Sequence, residues 1–281
     1  MRRGKLYICP TPIGNLEDIT LRTLKTLEEV DLIAAEDTRH TIKLLNHYDI
    51  SKPLTSYHEH NMKKKGLELI ERLIEGEDIA LVSDAGMPGI SDPGEDLIAL
   101  AIEENIEVVG LPGATASITS LVVSGLPARR FVFEGFLSSK KKERREELNK
   151  LKSEERTIIL YESPHRLLDS LGDILDIMGN RRIAIIRELT KLHEEVFRGD
   201  VEGALDRFSS DKIRGEFVLI IHGSTNGEGE IQIDIQGELL RYMEDGFTKK
   251  DSIKLVSERY NLPKNQVYKE SLGIDRIENR E

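Results

Sequence analysis

Apolar positions along this chain fall into two alternating patterns. Short apolar runs at residues 6–9, 32–35, 79–82 and 106–111 read as buried strands. Between them, near 19–29, 39–47, 62–75, 95–105 and 115–124, apolar residues recur at three- and four-residue spacing, the mark of helices packed on one face. Strand and helix in strict alternation predict an α/β domain with a mainly parallel sheet, assigned here to residues 1–125. Gly125-Leu126-Pro127-Ala128 breaks the pattern, and a second set follows. It comprises strands at 131–133, 158–161, 183–186 and 217–221, with helices at 140–155, 166–178 and 201–209, and predicts a second α/β domain over 126–225. Residues 226–230 are polar and read as a linker. A helical module over 226–281 has helices near 236–245, 249–259 and 263–272, the last two joined by a tight turn at 260–263 in the manner of a helix-turn-helix.

The loops after the first strands carry the chemistry. Residues 83–94 read Ser-Asp-Ala-Gly-Met-Pro-Gly-Ile-Ser-Asp-Pro-Gly, and the loops at 9–15, 35–39 and 111–116 also follow apolar runs. Loops at the carboxyl ends of strands are where open α/β sheets bind ligands, so all four are expected to converge on one crevice. Pro12, Pro88, Pro93 and Pro112 each remove a backbone N–H, and neither a Gly-Lys-Ser/Thr sequence nor a GxGxxG fingerprint follows a strand. A phosphate-rich nucleotide fits such loops poorly. An adenosine-type ligand without phosphates, S-adenosylmethionine above all, fits them well, with the carboxylate of Asp84 offered to its positive charge. Plain turn chemistry accounts for any one of the loops taken singly.

Charge and composition narrow the class. The net charge of −11 argues against a surface coated for nonspecific nucleic-acid binding. A local exception is residues 138–152, with seven Lys or Arg against three Glu; Lys140, Lys141, Lys142, Arg144 and Arg145 are candidates for RNA phosphates, and a solvated helix face with Glu/Lys pairs explains the same run. The helical module is mildly basic, which suits RNA contact or a packing tail equally. No apolar stretch approaches a membrane span, and a single cysteine, Cys9, suits a reducing, cytoplasmic setting. The His58-Glu59-His60 run lacks a third ligand at motif spacing, so no metal is expected.

Taken in order, the motifs at 11–20, 35–39, 83–94, 111–113, 133–137, 161–166, 187–191 and 215–217 resemble the ribosomal RNA small subunit methyltransferase I family of the tetrapyrrole methylase superfamily. The resemblance implies 2′-O-methylation of a decoding-region cytidine in 16S ribosomal RNA, free or in an assembled small subunit. It implies S-adenosylmethionine as donor, held in a cleft between two α/β domains, and a homodimer. It also implies donor contacts from Pro12, Ile13, Gly14, Asp84, Gly86, Met87, Ala114, Thr115, Tyr161, Gly215 and Glu216. A ribose hydroxyl is a weak nucleophile, and a base or an alkoxide-stabilising cation is sought among Glu36, Asp37, Arg39, Arg187, Glu188 and Lys191. For Glu36 to Arg39 a capped helix start is the structural alternative; for the other three it is a salt bridge. Competing functions are methylation of a small tetrapyrrole or a protein side chain, and a noncatalytic RNA-binding module.

Overall fold

The computed structural model describes residues 2–209, 213–225, 234–260 and 264–278. Residues 1–224 make one compact unit and residues 225–281 another. The expected linker at 226–230, and all of the expected turn but Tyr260, lie outside the described residues.

The first unit holds two five-stranded sheets. In chain order its first half runs β1 (Lys5–Ile8), α1 (Leu21–Glu29), β2 (Leu32–Ala35), α2 (Thr38–His47), β3 (Leu54–Ser56), α3 (Met62–Glu75), β4 (Ile79–Val82), α4 (Glu95–Glu103), β5 (Glu107–Gly110) and α5 (Ala116–Ser124). The strands stand in the order β3-β2-β4-β1-β5, and every pair is parallel. Successive side chains on a strand point to opposite faces, so each apolar run fills two cores. Leu6, Ile8, Leu32, Ala34, Ile79 and Leu81 pack under Leu69, Leu73 and Leu97 of α3 and α4. Cys9, Ile33, Ala35, Ala80 and Val82 face Leu27 and Leu45 of α1 and α2. With helices on both faces, all four residues of β2 and of β4 are buried.

The second half runs β6 (Phe131–Phe136), α6 (Lys141–Leu151), β7 (Thr157–Glu162), α7 (Leu167–Met178), β8 (Arg182–Arg187), β9 (Glu195–Asp200), α8 (Val201–Ser209) and β10 (Phe217–Ile221). Its order is β6-β7-β10-β8-β9, with β6 and β7 parallel and the remaining pairs antiparallel. Ile158, Leu160, Ile183, Ile185, Leu219 and Ile221 face α6, α7 and α8. The opposite face, with Ile159, Ile186, Val218 and Ile220, is covered by Leu121 of α5 and by Ile13. A helix that leaves the first sheet therefore packs on the second and couples the two.

The described residues of the second unit form three helices, α9 (Ile235–Glu244), α10 (Lys249–Arg259) and α11 (Lys264–Glu278), around Leu239, Val256 and Val267. Thr248 caps α10 by accepting from the Asp251 N–H at 3.2 Å. No described helix is long and apolar enough to cross a membrane.

Candidate functional site: a carboxylate-lined cleft between the two sheets

Two of the glycine-proline loops are stitched to each other. Thr11 and Gly86 exchange backbone hydrogen bonds of 2.9 and 3.0 Å, and the Thr11 hydroxyl donates to the Ser83 carbonyl at 3.1 Å. Gly86 lies at φ +82°, a left-handed conformation that glycine adopts without strain. A Cβ there would stand 3.2 Å from Ile13 and 3.6 Å from the Ala114 carbonyl, so three loops meet at this one residue.

They form one wall of a cleft of about 530 Å³, within the range of small-molecule sites. From this side come Ile13, Gly86, Met87, Asp92 and Thr115. From the second sheet come Phe133, Phe136, Tyr161, Glu162, Glu216 and Phe217. The Tyr161 ring meets those of Phe133 and Phe136 edge-on at 5.1 and 5.5 Å, an apolar wall that orients itself. Burial raises the Tyr161 phenol above its ordinary pKa, against a hydrogen bond to Ser117.

The lining carries three carboxylates, from Asp92, Glu162 and Glu216, and among the described residues no Lys or Arg. Glu162 is fully engaged: it accepts from the Ser163 N–H at 2.7 Å and the Ser170 hydroxyl at 2.5 Å, and pairs with Arg166 at 2.8 Å. Glu216 pairs with Lys191 at 2.9 Å. Asp92 makes no ion pair among the described residues, and burial, opposed by a Ser83 hydrogen bond and aided by Asp84, raises its pKa. Asp92, Phe133 and Phe136 are cleft residues that sequence reasoning had not nominated. All three lie inside motifs already singled out, at 83–94 and 133–137; the loop's closing Ser-Asp-Pro-Gly was the available signal for Asp92, whereas Phe133 and Phe136, three positions apart, both reach the cleft only because the strand bulges between Phe133 and Gly135.

Of the residues expected at the donor, Ile13, Gly86, Met87, Thr115, Tyr161 and Glu216 line this cleft. Pro12, Gly14, Asp84, Ala114 and Gly215 stand outside its lining. Gly14 is pressed against Lys191, which a Cβ would approach to 2.5 Å, and Gly215, at φ +95°, sits below Glu188. Asp84 turns to the fourth loop instead, accepting from the Asp37 N–H and meeting His40 Nδ1, each at 3.1 Å.

The residues considered for acid–base work form two groups. In one, Asp37 caps α2 and grips Arg39 through contacts of 2.6 to 3.1 Å; hydrogen bonds from the Arg39 side chain and N–H hold its carboxyl far below the usual range. The ligand atoms of Asp37, His40 and Asp84 lie within 4.8 Å of one another, though Arg39 already occupies Asp37. Glu36 is half-buried, and burial first, then Asp92 and Asp84, raise its pKa. In the other group, Glu188 accepts from Lys191 at 3.0 Å and from the Glu216 N–H at 2.9 Å. Arg187 is turned onto the Arg214 carbonyl at 2.8 Å and over the Phe217 ring. Burial pushes the Cys9 thiol up to about 12, the behaviour of an inert core residue.

The basic segment divides. Lys140, Lys141 and Lys142 are exposed on α6 and its N-cap, with Lys140 and Lys142 pairing at the surface with Glu143 and Glu146. Arg144 is not available for phosphate, which corrects the expectation: its side chain is 4% exposed and pairs with the equally buried Asp173 at 2.7 Å. Arg145 is half-exposed and turned back onto Asp173 and Asp176.

Comparison with known proteins places this arrangement. The family model for tetrapyrrole (corrin/porphyrin) methylases matches residues 5–204. A "Ribosomal RNA small subunit methyltransferase I" of Halalkalibacterium halodurans is 51% identical over 95% of this chain and 94% of its own. The same-named protein of Thermotoga maritima is 54% identical over 78% of this chain and 99% of its own. The chain belongs to this family. Among solved structures, the uroporphyrin-III C-methyltransferase of Thermus thermophilus complexed with S-adenosylhomocysteine is similar over 78% of this chain and 97% of its own, with a TM-score of 0.55 and 15% identity, a likeness of fold.

Proposed function

We propose that this protein transfers the methyl group of S-adenosylmethionine to the 2′-oxygen of a cytidine ribose in the decoding region of small-subunit ribosomal RNA, in the cytoplasm and as a homodimer. The observation that carries the donor assignment is the charge of the cleft, three carboxylates and five aromatic rings with no cation among its described lining residues. Such a lining repels phosphate and suits a ligand whose charge is a sulfonium and an ammonium beside an uncharged adenosine. The relatives' name supplies the acceptor class.

The donor supplies an activated methyl carbon when bound. The chain's part is to align the acceptor oxygen behind that carbon, exclude water and take one proton. In the transfer the ribose O–C bond forms as the C–S bond breaks, and the hydroxyl proton must leave. Asp92 is the lining carboxylate without an ion-pair partner, and its raised pKa gives it a greater appetite for a proton than an ordinary aspartate. Glu162, locked by Arg166 and Ser170, holds β7 and the start of α7 in register, and so holds Tyr161 against the cleft. Lys191 bridges Glu188 and Glu216 at the opposite rim and fixes the Gly215-Glu216 turn.

The test is calorimetry with S-adenosylmethionine, followed by incubation with donor and small ribosomal subunits and mapping of alkali-resistant linkages. A ribose ether blocks attack of the 2′-oxygen on the adjacent phosphate. Methylated RNA without a resistant linkage refutes the ribose assignment, and absence of donor binding refutes the enzyme reading.

A further inference from the structure

The second unit carries a surface that the methyl-transfer chemistry does not use. Helices α10 and α11 both begin at one groove of about 630 Å³, lined by Lys249, Lys250, Lys254, Lys264, Ile253 and Tyr268 along with Asp251 and Asn265. Four lysines and one carboxylate meet there in a chain whose net charge is −11. The one carboxylate is already engaged, since the Thr248 hydroxyl donates to Asp251 at 2.6 Å. Lys250, Lys254 and Lys264 are exposed and make no ion pair among the described residues. Lys250 and Lys254 are four residues apart on α10 and so share a face. The positive ends of two helix dipoles add to the same field. Tyr268, 54% exposed, offers a ring at the lysines' side, while the unit's small core is closed by Leu239, Val256 and Val267.

We infer that this groove is a binding site for the phosphate backbone of single-stranded RNA, with Lys250, Lys254 and Lys264 on phosphates and Tyr268 stacked on a base. Exposed lysines without an ion-pair partner among the described residues keep their charge available to a polyanion. An exposed aromatic beside them distinguishes a strand with unstacked bases from a duplex. The inference rests on the RNA methyltransferase reading for its biological substrate, but its physics is independent of the cleft.

The test uses the full chain and a fluorescein-labelled single-stranded RNA of decoding-region sequence, titrated by anisotropy over a range of salt. Each lysine lost from a phosphate removes about 0.7 from the slope of log affinity against log salt, so K250A/K254A/K264A is expected to flatten it by about 2. Tyr268→Ala is expected to weaken binding roughly tenfold and Tyr268→Phe to restore it, because the ring and not the hydroxyl stacks. Donor affinity by calorimetry should be unchanged in every variant. A triple variant with the wild-type slope overturns the groove, as does a wild-type chain that does not bind the RNA. A wild-type chain whose RNA binding depends on these lysines, yet which methylates no ribosomal RNA, sinks the enzyme reading and leaves the groove standing.

Discussion

Asp173→Ala is the substitution that best separates architecture from RNA contact in the basic segment. Asp173 and Arg144 are 5% and 4% exposed, and their groups meet at 2.7 and 2.9 Å, with Arg145 on the other carboxylate oxygen at 2.5 Å. Removing the acid leaves the Arg144 guanidinium buried and uncompensated, a change that costs about 3–5 kcal/mol. In a unit of this size each kcal/mol is worth about 2–4 °C, so the melting temperature should fall by roughly 6–20 °C. The pH dependence has a definite sign. Burial raises the Asp173 pKa, and hydrogen bonds from Arg145 and Arg144 outweigh it and hold the carboxyl below its ordinary value. A depressed folded pKa gives stability that is complete above the unfolded pKa of about 3.9 and is lost as pH falls below it. The wild-type advantage should therefore be full at neutral pH and shrink only in acid. Thermal melts of both proteins from pH 7 to pH 3 measure it. A drop under about 2 °C at pH 7, against the several degrees expected for a buried pair, would refute the reasoning. So would an Arg144→Met variant that stays folded but loses salt-dependent RNA affinity, because that would make Arg144 a phosphate contact after all.

Three further outcomes follow from the cleft and its surface. Asp92→Asn removes one of the three lining charges and should weaken donor binding, and beyond that it should lower kcat at saturating donor by roughly 10²–10⁴ if the carboxylate takes the proton; kcat at wild-type level would remove it from the chemistry. Because the folded pKa of Asp92 is raised, mainly by burial, its ionisation opposes folding as pH rises through the unfolded value and up to the folded one, so the same variant should melt no lower than wild type at pH 7. Gly86→Ala forces a side chain to φ +82° with its Cβ 3.2 Å from Ile13, costing roughly 1–2 kcal/mol; calorimetry should show weaker donor binding, and an unchanged affinity would free the loop from the site. Lys141→Ala with Lys142→Ala should leave the melting temperature within about 1 °C, as expected for exposed surface positions, and a salt slope equal to wild type would show that α6 is a solvated face.

The apolar runs located the central strands because buried parallel strands are apolar on both faces, and β2 and β4 span the expected residues. Two strands escaped. β3 is Leu-Thr-Ser at a sheet edge, too short to show a period. β9, Glu-Val-Phe-Arg-Gly-Asp, has half-buried to exposed residues throughout and is defined by its pairing to β8 rather than by its own pattern. β6 runs three residues past its expected end, across a bulge at which Gly135 takes φ +64° and renews the pairing to β7. The charged helix ends at Leu151, its last buried side chain, where a pattern dominated by lysine and glutamate gave no stop signal.

The site shows where local reading ends. Loop chemistry named the wall around Gly86, because proline and glycine act on their own backbone and are visible one residue at a time. The carboxylates had to be sorted by partner, and partners come from elsewhere in the chain. Asp84 and Asp92 sit eight positions apart in one loop and are indistinguishable by composition, but α2 and its N-cap offer Asp84 an N–H and an imidazole, while no opposite charge among the described residues pairs with Asp92. Arg144 looked like its neighbours Lys142 and Arg145 until α7 placed Asp173 beneath it. In both cases the electrostatic role is decided by a helix packed across from the residue. Arg166 and Lys191 are each held on a carboxylate of the wall, Glu162 and Glu216, which leaves Asp92 as the lining carboxylate without an ion pair among the described residues. Glu216→Gln removes a negative charge from the wall and leaves Lys191 paired with Glu188 alone, so it should weaken binding of the cationic donor. Affinity rising in that variant would show that the lining's charge does not select the ligand.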